Sequence, residues 1–554
     1  MLLFQDYLSK IRESAKSILP QVSDSDILLD DSGFSDIVVR TFALSKKTGM
    51  DFASIAKELE SSIGKLPFVE KVESRNGYVN TFLKPSAFLA PVIESLERSG
   101  EYPDVFQDPE RVCVEHTSTN PTGPIHIGRA RNSIIGDSVA RILSRYGYRV
   151  TTQYYVNDAG KQVIALYEGF RRYFDGKDRN VGNLLAGYQK IYQEMENIGG
   201  EAKILGPVIK QYESNDQELV EEVKSTAAIV LQSIKGSLEK LGIKIDDFVW
   251  ESGFLQSSEL DQVFNSLDSY VKDESGAKYL DLPNGRKMYL RRSDGTSLYP
   301  ARDLAYHLFK ALNADWLIDV LGEDHKDHGT ALKHVLTELM DFKQRLDFIF
   351  YGFISLDTGK LSTRRGNIVT LDQLLERMTE EALAIVAEKR KDLPDGELKI
   401  IAEAVAVSSI RFSVARVNAD KHMVFRWSEA LNFEGDSAPF IMYAYSRATS
   451  LFKDFGKGGI NLGEIKLDQY ERKLARQVFM YPYYLSDAAK YLRPDLICSY
   501  LLGLVKAYND FYTNCRIKGE LPEIQEIRLA INHAFRSVLF DSARLVGIRL
   551  LEEM

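Results

Sequence analysis

The sequence predicts a multidomain α/β protein with an all-α tail. A parallel-sheet middle carries a helical insertion, and a small α+β domain precedes it. Three observations predict this. Apolar strand-like runs alternate with helical patterns between residues 109 and 377, the mark of strand–helix–strand units and a parallel sheet. Two alternating segments flank Asn76-Gly77 near the N-terminus. From about residue 378 onward almost every apolar pattern has the helical period. A length of 554 residues is enough for roughly three or four domains.

Residues 1–108 are expected to form the first domain. Val69-Glu-Lys-Val72 and Tyr78-Val-Asn-Thr-Phe-Leu83 alternate like paired strands, and Asn-Gly between them is a strong hairpin signal. Gly100 to Pro109 reads as a linker. In the middle domain, 109–377, Arg111–Glu115 is the first strand, 125–146 its crossover helix and Arg149–Val156 the next strand. Residues 161–245 are helical and polar, an insertion between two halves. Trp316–Leu321 and Phe348–Leu356 are the third and fourth strands. Residues 378–554 form the helical domain, with breaks at Asp392–Gly396, Gly456–Gly463 and Lys518–Pro522.

Composition narrows the class. Hydrophobic residues make up 44%, so large cores form without metals or disulfides. Cys113, Cys498 and Cys515 are far apart and read as reduced thiols of a cytoplasmic protein. No apolar run approaches the ~20 residues of a membrane span, and the acidic Asp6 comes too early for a signal or transit peptide. Net charge is −9, yet residues 401–554 hold 20 Lys+Arg against 18 Asp+Glu. A nucleic-acid partner needs a local basic surface rather than a basic total, and an ordinary solvated surface fits this balance equally well. No Walker A loop, no dinucleotide glycine fingerprint and no zinc spacing among the eight histidines appear. No metal site is expected; His325 and His328 lie close but lack further ligands.

The chemistry concentrates in Glu115-His-Thr-Ser-Thr-Asn-Pro-Thr-Gly-Pro-Ile-His-Ile-Gly-Arg129. A strand there hands over to a helix, whose N-terminus exposes unpaired N–H groups and partial positive charge. His126 can meet phosphate there, and Gly128 lets a flat base approach the backbone. Lys360-Leu-Ser-Thr-Arg-Arg-Gly366 is a basic loop after another strand, suited to closing over a triphosphate. Gly322-Glu-Asp-His325 at a strand end can seat a ribose through Asp324. Each has a plainer reading: an ordinary turn, a solvated basic loop, a helix-capping Asp.

Together these motifs resemble class I aminoacyl-tRNA synthetases, with His126-Ile-Gly-Arg129 in place of the "HIGH" sequence and Lys360-Leu-Ser-Thr-Arg364 in place of "KMSKS". Glu115–Pro124, Tyr155-Val-Asn-Asp-Ala-Gly160, Ser293-Asp-Gly-Thr-Ser-Leu-Tyr-Pro-Ala-Arg-Asp303, Ser362-Thr-Arg-Arg-Gly-Asn367, Tyr508-Asn-Asp-Phe-Tyr-Thr-Asn-Cys515 and Leu550-Leu-Glu-Glu-Met554 are similar to arginyl-tRNA synthetases. The resemblance implies a Rossmann-like catalytic domain, an N-terminal tRNA-contacting domain and a C-terminal anticodon-binding domain. It implies ATP-dependent attachment of L-arginine to tRNA(Arg) through an arginyl-adenylate, releasing pyrophosphate and AMP. ATP would arrive with Mg²⁺ as substrate, with no tightly bound metal or organic cofactor; a cytoplasmic monomer without membrane contact is expected. It also implies that adenylate formation needs bound tRNA.

By the same resemblance Glu115 and Asn120 hold arginine, while Tyr299 and Asp303 frame its guanidinium. That agrees with chemistry, since a guanidinium fork pairs best with carboxylates. His126 and Lys360 would be catalytic. His126, Gly128, Arg129, Gly322, Asp324, His325, Lys360, Ser362 and Arg364 would bind ATP. Asn76, Tyr78 and Asn80 would contact the outer corner of the tRNA, and Tyr443, Tyr512 and Met554 the anticodon arm, with tyrosines stacking on splayed bases. The chain departs from the family at Arg129, where a second histidine is usual. It departs again at Thr363 in place of the second lysine, leaving Arg364 or Arg365 to supply that charge, and at Ala438-Pro-Phe-Ile-Met-Tyr443, which lacks a glutamine. Alternatives are a catalytically impaired tRNA-binding paralogue, a glutamyl, glutaminyl or cysteinyl enzyme, or a small-molecule nucleotidyltransferase.

Overall fold

The computed structural model describes residues 4–30, 34–99, 102, 108–197, 200–356, 369–455 and 466–554. The chain divides into two compact units, Met1–Phe106 with Asn432–Met554, and Gln107–Leu431.

The first unit begins with α1 (Phe4–Ile18), β1 (Ile27–Leu29), β2 (Ile37–Arg40), α2 (Thr41–Thr48), α3 (Phe52–Ile63), β3 (Val69–Arg75), β4 (Tyr78–Leu83) and α4 (Pro85–Ser99). The strands form an antiparallel sheet in the order β1-β2-β4-β3. The expected hairpin is β3–β4. Asn76 and Gly77 both have positive φ, 52° and 78°, as the tight two-residue turn between right-twisted strands requires.

The second unit carries a five-stranded sheet. Its elements are β5 (Arg111–Glu115), α5 (Ile127–Tyr146), β6 (Arg149–Val156), α6 (Lys161–Tyr173), α7 (Val181–Asn197), α8 (Glu201–Glu213), α9 (Gln217–Lys240), β7 (Asp247–Trp250), α10 (Ser258–Leu267), β8 (Lys272–Glu274), β9 (Ala277–Asp281), β10 (Lys287–Arg291), α11 (Tyr299–Ala311), β11 (Trp316–Gly322), α12 (Lys326–His334), β12 (Arg345–Tyr351), β13 (Ile354–Leu356), α13 (Leu371–Lys389), α14 (Asp395–Ala415), β14 (Met423–Phe425) and α15 (Trp427–Ala430). The sheet order is β12-β11-β5-β6-β7, and every neighbouring pair is parallel. From β5 the chain runs one way through β6 to β7, then returns to the other side of β5 as β11. Such a reversal opens a crevice at the strands' C-terminal ends, the usual ligand position in open α/β sheets.

β5 and β11 are mostly apolar and buried, as parallel strands covered on both faces are, and β6 is buried from Thr152 to Val156. The insertion is helical as expected, α6 to α9. Gly169 and Gly187 let α6 and α7 touch backbone to backbone, since a Cβ on either would lie 2.5–2.7 Å from the other. A short antiparallel sheet, β10-β9-β8, follows, which the sequence reading did not anticipate. The single strand expected at Phe348–Leu356 is two strands, β12 and β13, broken at Gly352. A Cβ there would meet the His422 backbone nitrogen at 2.9 Å, so the backbone must turn to pass the 421–422 segment, and β13 pairs with β14 instead. The expected boundary near residue 377 falls inside this unit. Arg411 of α14 is wholly buried and pairs with Asp137 of α5, and it also donates to the Leu241 carbonyl at 3.1 Å.

The chain then rejoins the first unit with α16 (Ala438–Phe455), α17 (Gln469–Phe479), α18 (Tyr481–Tyr491), α19 (Pro494–Asn514) and α20 (Pro522–Leu545). The break expected at Gly456–Gly463 lies outside the described residues; those at 392–396 and 518–522 precede α14 and α20. Within this unit Arg472 and Arg476 of α17 reach Asp36 beside β2, at 2.9 and 3.1 Å. The N-terminal sheet and the helical tail are thus one packed body.

Candidate active site

The site begins with a strained loop. After β5 the backbone turns through Thr117 and Ser118, with φ of 72° and 28°. Positive φ is costly for a β-branched residue and persists only where surrounding bonds impose it. Here Asn132 of α5 accepts from the Thr117 N–H at 2.6 Å and donates to the Val320 carbonyl at 2.7 Å, clamping the loop between β11 and α5. The Thr117 hydroxyl donates to Ser133 at 2.9 Å, and the Tyr154 hydroxyl to the Thr119 carbonyl at 2.5 Å.

That loop forms one wall of a cavity of about 1110 Å³ at the switch between β5 and β11. Glu115, Asn120, Tyr299, His126, Gly128, Arg129, Gly322, Asp324 and His325 all line it. Three of the four residues expected for arginine and the described residues expected for ATP therefore share one chamber. Lys360, Ser362 and Arg364 lie outside the described residues. Asp303 does not line the cavity itself. It sits behind Tyr299, and His328 donates to its Oδ2 at 2.6 Å.

Glu115 ends β5 and is 7% exposed. Its Oε1 accepts from the Ser118 hydroxyl and its Oε2 from Lys310, both at 2.9 Å. Burial pushes its carboxyl above the ordinary value, and the Lys310 ammonium opposes that. For Asp303 burial also acts upward, but hydrogen bonds from His307 and His328 outweigh it and hold the carboxyl far below the usual range. Burial pushes the Tyr299 phenol well above its ordinary value, helped by the Asp303 carboxylate. A neutral phenol beside two carboxylates is a suitable frame for a planar cation. Asn120 reaches Gln162 at 3.0 Å.

His126 is the N-cap of α5 and has no side-chain cap bond. Burial, with Arg129 adding to it, lowers its pKa to about 4, so the ring is neutral at physiological pH. Gly128 keeps the wall close: a Cβ there would stand 3.0 Å from the His126 ring, which would have to shift slightly, and 3.7 Å from Ile354. At Gly322 a Cβ would meet Asp324 at 2.4 Å, and Asp324 and His325 stand at the exposed mouth. Buried Arg131, from the same helix, donates to the carbonyls of Gly352 and Phe353 and of Asn418 and Ala419. It thus anchors the segment leading into the Lys360 loop.

Several contributors were missed by sequence reasoning. His126 Nδ1, Tyr155 Oη and Asn157 Oδ1 are buried without a hydrogen-bond partner, and all three residues line the cavity. Buried polar atoms are nearly always satisfied, so these mark where a polar ligand would bind. Tyr155 and Asn157 lie in the Tyr155–Gly160 motif, which the sequence alone does not connect to the cavity. His328 was weighed only as a metal ligand. His307, Lys310 and Asp319 carry a fainter signal: Asp303, His307 and Lys310 recur on one face of a helix whose other residues, Arg302 apart, are uncharged.

Elsewhere, in the first unit, Tyr443 and Tyr512 are 46% and 42% exposed. The Arg447 guanidinium lies over both rings, 4.7 and 4.4 Å from their centroids. Met554 is partly exposed. In the hairpin, Asn76 and Tyr78 face out, but Asn80 is 5% exposed and donates to the Glu73 carbonyl at 3.2 Å. Asn80 therefore supports the hairpin from inside. Among the described residues Asp468, Glu471 and Cys515 could together face a metal ion, but Arg528 already pairs with Glu471 at 2.6 Å. No helix among the described residues is long and apolar enough to cross a membrane.

Comparison with known proteins agrees with this geometry. Residues 92–427 match the family model for tRNA synthetases class I (R), catalytic domain, and residues 441–554 match the DALR anticodon binding domain. The chain is 48% identical to an arginine--tRNA ligase of Thermoplasma acidophilum over 554 residues, covering both chains fully. It is 32% identical to one of Methanocella arvoryzae, over 99% of this chain and all of that one. The solved arginyl-tRNA synthetase of Thermus thermophilus superimposes with a TM-score of 0.84 at 25% identity, over 99% of this chain and 100% of that chain. With its parallel sheet, its helical tail and these relatives along its whole length, the chain belongs to the arginyl-tRNA synthetase family of class I.

Proposed function

We propose that the protein is an arginine--tRNA ligase, joining L-arginine to tRNA(Arg) at the expense of ATP. One observation carries the reading: an arginine-type subsite and a nucleotide-type subsite open into a single cavity at the β5–β11 switch. Glu115 takes the α-ammonium of arginine with Asn120 beside it, while Tyr299 and Asp303 frame the guanidinium. His328, now on Asp303, shares or yields that carboxylate when the guanidinium enters. Gly128 and Ile354 leave a flat slot for adenine, and Gly322, Asp324 and His325 hold the ribose side. Neutral His126 and the α5 N-terminus meet the phosphates, with Arg129 supplying a fixed charge nearby.

Chemistry then follows from placement. An oxygen of the arginine carboxylate attacks the α-phosphorus in line. The bond to the bridging oxygen breaks, and pyrophosphate leaves with its Mg²⁺. Lys360, four residues past β13 in sequence, would neutralise the charge that develops, aided by Ser362 and Arg364; such stabilisation carries most of phosphoryl-transfer catalysis. A hydroxyl of the tRNA's terminal ribose next attacks the arginyl carbonyl, and AMP departs. No side chain needs to become acylated. Asn76 and Tyr78 on the exposed hairpin would contact the tRNA's outer corner, and Tyr443, Tyr512 and Met554 its anticodon arm. We further infer three functional parts, 1–108, 109–377 and 378–554, and a cytoplasmic monomer.

Charging of tRNA with each of the twenty labelled amino acids tests the assignment. Arginine should be strongly preferred, and arginine-dependent ATP–pyrophosphate exchange should rise on adding tRNA. Preference for another amino acid would sink the identity, and full exchange without tRNA would remove the tRNA requirement.

A further inference from the structure

Behind the two carboxylates offered to arginine runs an unbroken chain of buried polar contacts. Glu115 Oε2 accepts from Lys310 Nζ at 2.9 Å, and the same Nζ donates to Asp319 Oδ1 at 2.6 Å. Asp319 Oδ2 lies 2.8 Å from His307 Nε2. His307 Nδ1 lies 2.8 Å from the Asp303 carbonyl oxygen and 3.4 Å from its carboxylate. The side chains of Lys310, His307 and Asp319 are 0%, 1% and 3% exposed, and none of the three lines the arginine cavity. They cannot serve by touching substrate.

The backbone explains how the series forms. Glu115 and Asp319 are register partners on adjacent strands, β5 and β11. Asp303, His307 and Lys310 share one face of α11, at helical spacing. One rung of the sheet and one face of a helix thus hold five side chains in series. Both His307 nitrogens face acceptors, which suits the doubly protonated ring. Asp319 and Asp303 outweigh burial and the Lys310 ammonium there, raising the ring's pKa to about 9. Three carboxylates and two cations leave one negative charge, which the net single positive charge of arginine completes.

We propose that the series Asp303–His307–Asp319–Lys310–Glu115 is a spacer. It fixes the gap between the carboxylate for the guanidinium and the carboxylate for the α-ammonium, and so sets the side-chain length the enzyme accepts. His307, Lys310 and Asp319 are positioning residues for specificity. A buried ion cluster contributes little to stability compared with apolar packing, whereas a rigid one holds two charges at a set distance. A substrate one methylene too long or too short would leave one carboxylate without its contact to the substrate. The inference rests on the proposed arginine specificity.

The test uses the full-length protein with tRNA, comparing arginine, 2-amino-4-guanidinobutyrate and homoarginine. The native protein should prefer arginine over either homologue by about 10–200-fold in kcat/KM, the discrimination one methylene usually allows. In Lys310→Gln and His307→Gln that preference should fall by about tenfold, through KM for the amino acid, while KM for ATP moves little. Lys310→Arg keeps the charge and the fold but changes the contact geometry; its preference should also shift, by about threefold or more. A preference unchanged in Lys310→Arg, whatever becomes of the glutamine variants, overturns the spacer. Failure of the native protein to charge arginine would instead overturn the proposed function.

Discussion

Asp303 shows how much one side chain is asked to do. In the proposed function it frames a guanidinium; it also ends a buried charge chain and accepts from His328 at 2.6 Å. Replacing it with asparagine keeps the shape and removes the charge. We expect Asp303→Asn to raise KM for arginine by about 10²–10³-fold, the effect of unpairing a buried charge contact. KM for ATP should change only a few-fold. Steady-state kinetics in each substrate checks this; equal losses would make Asp303 a purely structural residue. The carboxylates were legible in the sequence because the motifs around Glu115 and Asp303 are distinctive. Lys310 and His307 were not, because a charged residue on a helix ordinarily reads as solvated. Only the fold shows that their helix face meets the β5–β11 rung.

At the scale of elements, buried apolar strands were read best. β5 and β6 have the residue bounds the sequence suggested, because both are rich in β-branched or aromatic residues and both run into polar loops. The hairpin at Asn76-Gly77 was equally legible, since its turn chemistry is local. Polar strands were not: β8 is exposed at every residue, Lys272 to Glu274, and offers no alternation to detect. Gly352 was likewise invisible, because the chain that crowds it lies some seventy residues away in sequence. The contact between α6 and α7 belongs to the same class. A methyl on Gly187 would lie 2.7–2.8 Å from the Gly169 backbone, and neither helix can yield without moving its neighbours. We expect Gly187→Ala to destabilise the protein by about 1–3 kcal/mol through overpacking. Urea unfolding checks this, and an unshifted midpoint would show that the insertion repacks freely.

For the whole molecule, buried histidines shape stability against pH. Burial lowers His116 and His126 to about 4 from an ordinary 6.5. Between pH 6.5 and 4 the unfolded chain binds protons there and the folded one does not, so stability falls as pH drops. Below that, Asp137 and Asp303, both held low by cationic partners, extend the loss as they protonate. His307 acts in the opposite sense. With its pKa raised from 6.5 to about 9, its contribution is complete below pH 6.5 and is lost as pH climbs toward 9. That loss is on the order of 3 kcal/mol at most. Taken alone, these groups place the stability maximum near pH 6.5. His307→Gln should flatten the alkaline limb between 6.5 and 9 while leaving the fall between pH 6.5 and 4, set by His116 and His126, in place. Urea midpoints across pH decide it, and an alkaline limb of unchanged slope in the variant would remove His307 as its cause.

The account rests on one cavity seating both arginine and ATP. A non-hydrolysable arginyl-adenylate analogue, in which a sulfamoyl group replaces the phosphoryl, measures this directly. Inhibition of tRNA charging should be competitive with arginine and with ATP alike, and Asp303→Asn should weaken it. Competition with ATP alone, leaving arginine binding undisturbed, would place the two substrates in separate sites and contradict the account.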